Sequence, residues 1–280
     1  MALISSNVNG EKELNELWHR RMGHLHHGAL RMLKETVTGV PMLTTKHDDT
    51  CKGYMLGKYA KAAYSRSNNK AKSVLGLIHS HICGPMSTRA ISGAEYFFTF
   101  IDDHSRETWI YFLRAKDEVF DRFKEFKALV KNLTGRKIKI LRSNNGGKYT
   151  DKNFTDFYAR EGIRREWTTP YNPEHNGVAE RKNKIIVGAA KAMLYDQNLP
   201  KFLWAEACNM IVYIQNRTPH RVLGKKTPEG VFTGKKAEVS HLKIFGSVAY
   251  CHIPEEKRSK LEQTVEVGYL VGYNETSKAY

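Results

Sequence analysis

The stretch AEYFFTFID, Ala94 to Asp102, constrains the fold more than any other part of this chain. Its aromatic and apolar residues do not alternate with polar ones. As a strand it therefore has two dry faces, and each needs a covering layer. Val74 to Ile82 and Thr108 to Leu113 also read as strands. DEVFDRFKEFKALVKNL then places Val119, Phe123, Phe126, Val130 and Leu133 on one helical face, with Asp117 near its start and Gly135 ending it. KIKILRSNN reads as the next strand, a helix is expected around Asn153 to Arg160, and IRREWTT gives a short strand. Long helices follow at about Val178 to Asp196 and Leu203 to Asn216. This order predicts an α/β fold: a central sheet with helices on its faces.

Charge narrows the class of partner. Lys and Arg number 45 against 29 Asp and Glu, giving a net charge of +16 and a pI near 9.6. Such a surplus favours an anionic partner, nucleic acid first, although a merely soluble basic protein would need none. The 41% hydrophobic and 26% charged content is that of an ordinary folded chain. No run approaches 18 apolar residues, so no membrane span is expected. The opening MALISSNVNGEKELNEL lacks the basic and apolar regions of a signal peptide. Cys51, Cys83, Cys208 and Cys251 are scattered, which fits a reducing compartment better than a disulfide framework.

Composition shifts divide the chain into 1–65, a polar basic linker at 66–73, a core at 74–218 and an extension at 219–280. In the first unit, LWHRRMGHLHHGALRMLKE has helical spacing with Leu17, Leu25, Leu30 and Leu33 at buried positions. In the last, KIFGSVAYCHI and VEVGYLVGY are strand-like, and the chain stops in SKAY without a finished element, as a fragment would.

LWHRRMGH, CKGYMLGK, HSHICGPM, FIDDHSRETWIYFL, LRSNNGGKY and NGVAERKN follow one another at characteristic spacing. In that order they resemble the integrase region of copia-type retrotransposon Gag-Pol polyproteins, part of the retroviral integrase group, from about Leu17 to Tyr280. The resemblance implies a ribonuclease-H-like core, a mixed five-stranded sheet with helices on both faces. A small helical HHCC-type zinc-finger-like domain would precede it, and the start of a small β domain would follow. It also implies an oligomeric nuclear enzyme that trims DNA ends and inserts them into a target duplex. Two Mg²⁺ or Mn²⁺ ions held by three carboxylates would serve that reaction.

At those positions the chain departs from the family. Glu180 stands where the family has its third carboxylate. His81 occupies the first Asp position, Asn144 the second, and Lys148 a position usually held by Glu. Asn144 keeps a carbonyl oxygen without charge, and His81 offers a nitrogen better suited to Zn²⁺ or Mn²⁺ than to Mg²⁺. Each ion pair lost within 4 Å forfeits about 4 kcal/mol at an effective dielectric near 20, so a second Mg²⁺ is not expected to bind. Asp102 and Asp103 look like substitutes, but the same FIDD accompanies the separate triad in the family. They are read as a strand-end turn.

The amino-terminal unit shows a parallel loss. The resemblance assigns zinc to His19, His24, Cys51 and a second Cys, and the last position is Tyr54. Three ligands, with water or His47 as a fourth, would hold Zn²⁺ weakly. His26 and His27 are read as surface residues. On the long helix, Arg181, Lys182, Lys184 and Lys191 suit phosphate contact with DNA; the plainer alternative is a solvated basic face with Glu180 paired to Lys184. YNPEHNG, with Pro173 and Gly177, reads as a mobile cover, and Leu203 to Asn216 as core or a self-association face.

Three functional readings stay open. The first is an integrase-like DNA-binding protein with a dead catalytic site. The second is a Mn²⁺-dependent polynucleotidyl transferase or nuclease, and the third a non-enzymatic DNA-binding or interaction protein of transposon origin. Asp to Asn, Glu to Lys and Cys to Tyr each need one G-to-A change, as expected of a decayed element copy.

Overall fold

The computed structural model describes residues 11–41, 43, 51, 70–143, 152–167 and 177–273. From the amino end come α1 (Glu11–Arg21), α2 (His27–Thr36) and the two-residue β1 (Val37–Thr38). A five-stranded sheet follows, built from β2 (Ile78–Cys83), β3 (Tyr96–Asp102), β4 (Thr108–Leu113), β5 (Ile140–Ser143) and β6 (Arg164–Trp167). Its order is β4-β3-β2-β5-β6. The first three strands form an antiparallel meander, and β5 and β6 run parallel to β2. Parallel neighbours need crossovers, which α3 (Val119–Thr134) and α4 (Lys152–Glu161) supply. The mixed sheet expected from the sequence is present.

The two dry faces of β3 have different covers. Phe98 and Phe100 turn toward α3, where Phe100 stacks on Phe126 with ring centroids 4.1 Å apart. Phe97 points the other way, toward Trp204. That second face is closed by α5 (Gly177–Asp196) and α6 (Trp204–Asn216). Trp204, Ile211, Val212 and Ile214 are buried within this same chain, so they are core.

Two strand and helix expectations shift. The strand starts at Ile78, not Val74, because Leu75 takes a left-handed φ of 61° that ends extended backbone there. Leu133 is exposed; α3 buries Val119, Phe123, Phe126 and Val130, and its last turn runs on to Gly135, whose φ of 66° closes the helix.

The amino-terminal helical spacing is also broken. Gly23 (φ 62°) and His24 (φ 58°) turn the chain between α1 and α2. Leu30 and Leu33 are buried as expected, while Leu17 and Leu25 are half-buried and Trp18 and Met22 fill the interior instead. These residues do not form a core of their own. They join Ile186, Met193, Ile211 and Ile214 of α5 and α6, and Val239, Leu242 and Phe245 of the C-terminal extension, in one apolar cluster. In that extension, after α7 (Pro228–Thr233), comes β7 (Ala237–Glu238), which pairs in parallel with β1 of the amino-terminal unit. An antiparallel pair, β8 (Val248–His252) with β9 (Val265–Tyr269), closes the described chain. Among the described residues no helix is long and apolar enough to cross a membrane.

Candidate functional site

His81 lies in the middle of β2, opposite Thr99 of β3. The long helix is pinned to this pair by Asn183. Its carbonyl accepts from the Thr99 hydroxyl at 2.8 Å, and its amide lies 3.5 Å from the His81 carbonyl. Asn183 is buried, and Glu180 stands one turn before it on the same side of the helix. Burial lowers the His81 pKa, and the nearby Glu180 charge raises it only in part, so the imidazole is neutral near pH 7. The structure thus brings together the first-strand position and the retained carboxylate. Asn144, Lys148 and Pro173 lie outside the described residues, while Gly177 opens α5.

The four basic residues of α5 do not share a face. Arg181, Lys184 and Lys191 are exposed and spaced by three and seven, one stripe of a helix. Lys182 is half-buried and faces Glu107, the residue just before β4. Burial lowers its pKa to about 8, with Glu107 pulling it up and Arg106 pulling it down. Burial and the Glu229 charge in turn raise the Glu107 carboxyl well above the usual carboxylate range, against Arg217 and Lys182.

Asp102 and Asp103 act as a clamp. Asp102 accepts from the Leu75 amide at 2.8 Å and from the Ser105 amide and hydroxyl at 2.7 Å. Asp103 accepts from the Ala71 amide at 2.6 Å and meets His79 and Arg106 at 3.0 Å. Burial pushes the Asp103 pKa up, but the His79 and Ala71 hydrogen bonds and the Arg106 charge outweigh it and hold the group at about 2, against 3.8 ordinarily. A depressed carboxylate stabilises the fold above its ordinary pKa, and that contribution fades as pH falls through about 4 to 2. Urea unfolding of the native chain should lose about 2 kcal/mol over that window from this group, and Asp103→Asn should lack that part of the acid dependence.

The amino-terminal ligands also converge. Donor atoms of His19, His24 and Cys51 all lie within 4.8 Å of one another. His24 Nδ1 is 3.3 Å from His19 Nε2 and 3.1 Å from Cys51 Sγ. His19 Nδ1 lies 2.7 Å from the Leu25 carbonyl, so it carries the proton and leaves Nε2 as the donor lone pair. Two nitrogens and a thiolate at this separation fit Zn²⁺. Tyr54 and His47 lie outside the described residues. His26 is exposed and caps α2 by accepting from the Gly28 amide.

Sequence reasoning missed Asn183 and Glu107, and it grouped Lys182 with the exposed bases of α5 although Lys182 lies against Glu107. Thr99 was the available signal for the first, a lone polar residue inside an aromatic strand.

A ribonuclease-H-like sheet with a carboxylate-bearing helix laid across its first strand defines an integrase-type catalytic core. Family models agree: Integrase core domain at residues 79–173, GAG-pre-integrase domain at 2–59 and Retroviral polymerase SH3-like domain at 247–280. The retrovirus-related Pol polyprotein from transposon TNT 1-94 of Nicotiana tabacum is 42% identical over 95% of this chain. That from transposon RE2 of Arabidopsis thaliana is 31% identical over 96% of it. The chain belongs to this integrase family, as it occurs in copia-type retrotransposon Pol polyproteins. It spans about a fifth of those relatives' length, 20% and 18%. Among solved structures, the HTLV-2 integrase catalytic core domain in complex with magnesium is 16% identical, covering 58% of this chain and 99% of that one with a TM-score of 0.43.

Proposed function

We propose that this chain binds DNA as an integrase-family protein whose own phosphoryl-transfer site is disabled. The neutral imidazole of His81 against Glu180 carries this reading. The family reaction, end processing and strand transfer, uses two divalent ions bridged by carboxylates. Mg²⁺ requires hard oxygen ligands, and a neutral imidazole beside one carboxylate does not fit it. His81 and Glu180 therefore do not support a catalytic step through that ion. A second reading is favoured by the same pair, since an imidazole nitrogen and a carboxylate oxygen are donors Mn²⁺ accepts. A third keeps only the DNA-binding or interaction role.

DNA ends and target duplex are the partners we assign, with self-association and action in the nucleus, on the family's pattern. Arg181, Lys184 and Lys191 would contact phosphates along α5, and Lys182 would not. Zn²⁺ would be held by His19, His24 and Cys51 and would tie the amino-terminal unit together.

Salt-dependent duplex binding tests the DNA role. Each phosphate contact contributes about 0.9 to the slope of log affinity against log salt. Changing Arg181, Lys184 and Lys191 together to Gln should lower the slope by nearly three, and Lys182→Gln should leave it unaltered. Absence of binding by the native chain at low salt would contradict the proposal.

A further inference from the structure

The amino-terminal ligand cluster abuts the far end of the helix that carries Glu180. His24 Nε2, the nitrogen turned away from Cys51 and His19, lies 4.0 Å from Asp196 Oδ2. Asp196 is the last residue of α5. The same oxygen accepts from Arg20 of α1, with Nε at 2.9 Å and Nη2 at 2.7 Å, and from Gln197 at 2.6 Å. The turn that presents His24 is wedged in place: a Cβ on Gly23 would stand 2.5 Å from Ile211 of α6 and 3.7 Å from Met193 of α5. His24 itself holds a left-handed φ of 58°, a conformation that costs energy unless its surroundings fix it.

We infer that Asp196 is the outer carboxylate of the amino-terminal metal centre, and that metal occupancy is thereby felt at the C-terminal turn of α5. This rests on the zinc assignment made above. A histidine ligating through Nδ1 carries its proton on Nε2, and a carboxylate facing that proton orients the ring and raises its basicity. At 4.0 Å the carboxylate acts by its field or through one water, which places its effect at the modest end for such partners. Arg20 fixes the carboxylate from α1, one residue after His19. Ligand, carboxylate and helix end are thus joined by two short links, and ordering one orders the others. Asp196 positions a ligand; it is not a ligand itself.

The test uses the full chain, with Zn²⁺ affinity measured by competition against a chromophoric chelator and amide hydrogen exchange followed across Ala192 to Gln197. Each protein is compared with its own metal-free state, so any loss of basal stability cancels. Native chain should bind Zn²⁺ and slow exchange in that turn when loaded. Asp196→Asn, which keeps an acceptor for Arg20, should bind about 10-fold more weakly and lose the metal-dependent slowing. Asp196→Glu should recover part of both. Equal affinity and equal slowing in Asp196→Asn would overturn the inference while leaving the zinc site standing. No Zn²⁺ binding by the native chain would remove the site and the inference together.

Discussion

Asp102→Ala is expected to destabilise the core by about 4 kcal/mol, more than most single substitutions. Asp102 is fully buried, and the substitution removes the acceptor of two backbone amides, Leu75 and Ser105, and of the Ser105 hydroxyl. An orphaned buried donor costs about 1–3 kcal/mol, and here two amides lose their partner at once. Leu75 adds to the effect, because its left-handed φ of 61° persists only while the Asp102 hydrogen bond and the Lys139 amide on its carbonyl hold it. Asp102→Asn keeps one acceptor oxygen and should cost about half as much. The urea midpoint should fall while the slope stays constant. Were the paired carboxylates of FIDD a catalytic metal site instead, Asp102→Ala would relieve charge repulsion and leave stability equal or higher.

The second large effect concerns metal. His81→Asp with Asn144→Asp and Lys148→Glu should create Mg²⁺ binding that the native chain is expected to lack. At 4 Å and an effective dielectric near 20, each new carboxylate contributes about 4 kcal/mol per unit charge product. A tenfold change in affinity corresponds to about 1.4 kcal/mol, so the gain should span several orders of magnitude. The cost appears without metal: an Asp at position 81 would face Glu180 as a like charge, where the neutral imidazole now sits. The restored variant should therefore melt below the native chain in chelator and recover with Mg²⁺. Melting that ignores Mg²⁺ would show that the scaffold has further defects.

Much of the sheet was legible because β3 and α3 carry their own patterns. Phe97 on one face, Phe98 and Phe100 on the other, and the Val119–Phe123–Phe126–Val130 stripe each follow from local periodicity. What escaped was set by distant contacts. The turn at Gly23 and His24 is fixed by helices more than 160 residues further along the chain, and β1 finds its partner in β7. Lys182 reads as one more base in a basic run, yet a single helical step takes it off the Arg181–Lys184–Lys191 stripe and toward Glu107. The pairing of His81 with Glu180 came from motif resemblance and not from periodicity. What the fold adds is the Asn183 pin that holds helix to strand.

Strand transfer of a labelled duplex end into target DNA, with Mg²⁺ or Mn²⁺, tests most directly the proposal that this site is disabled when run on the native chain beside Glu180→Ala. The expected result is no transfer product from either protein with either ion, while the native chain still binds the duplex. Product formed by the native chain and abolished by Glu180→Ala would contradict it.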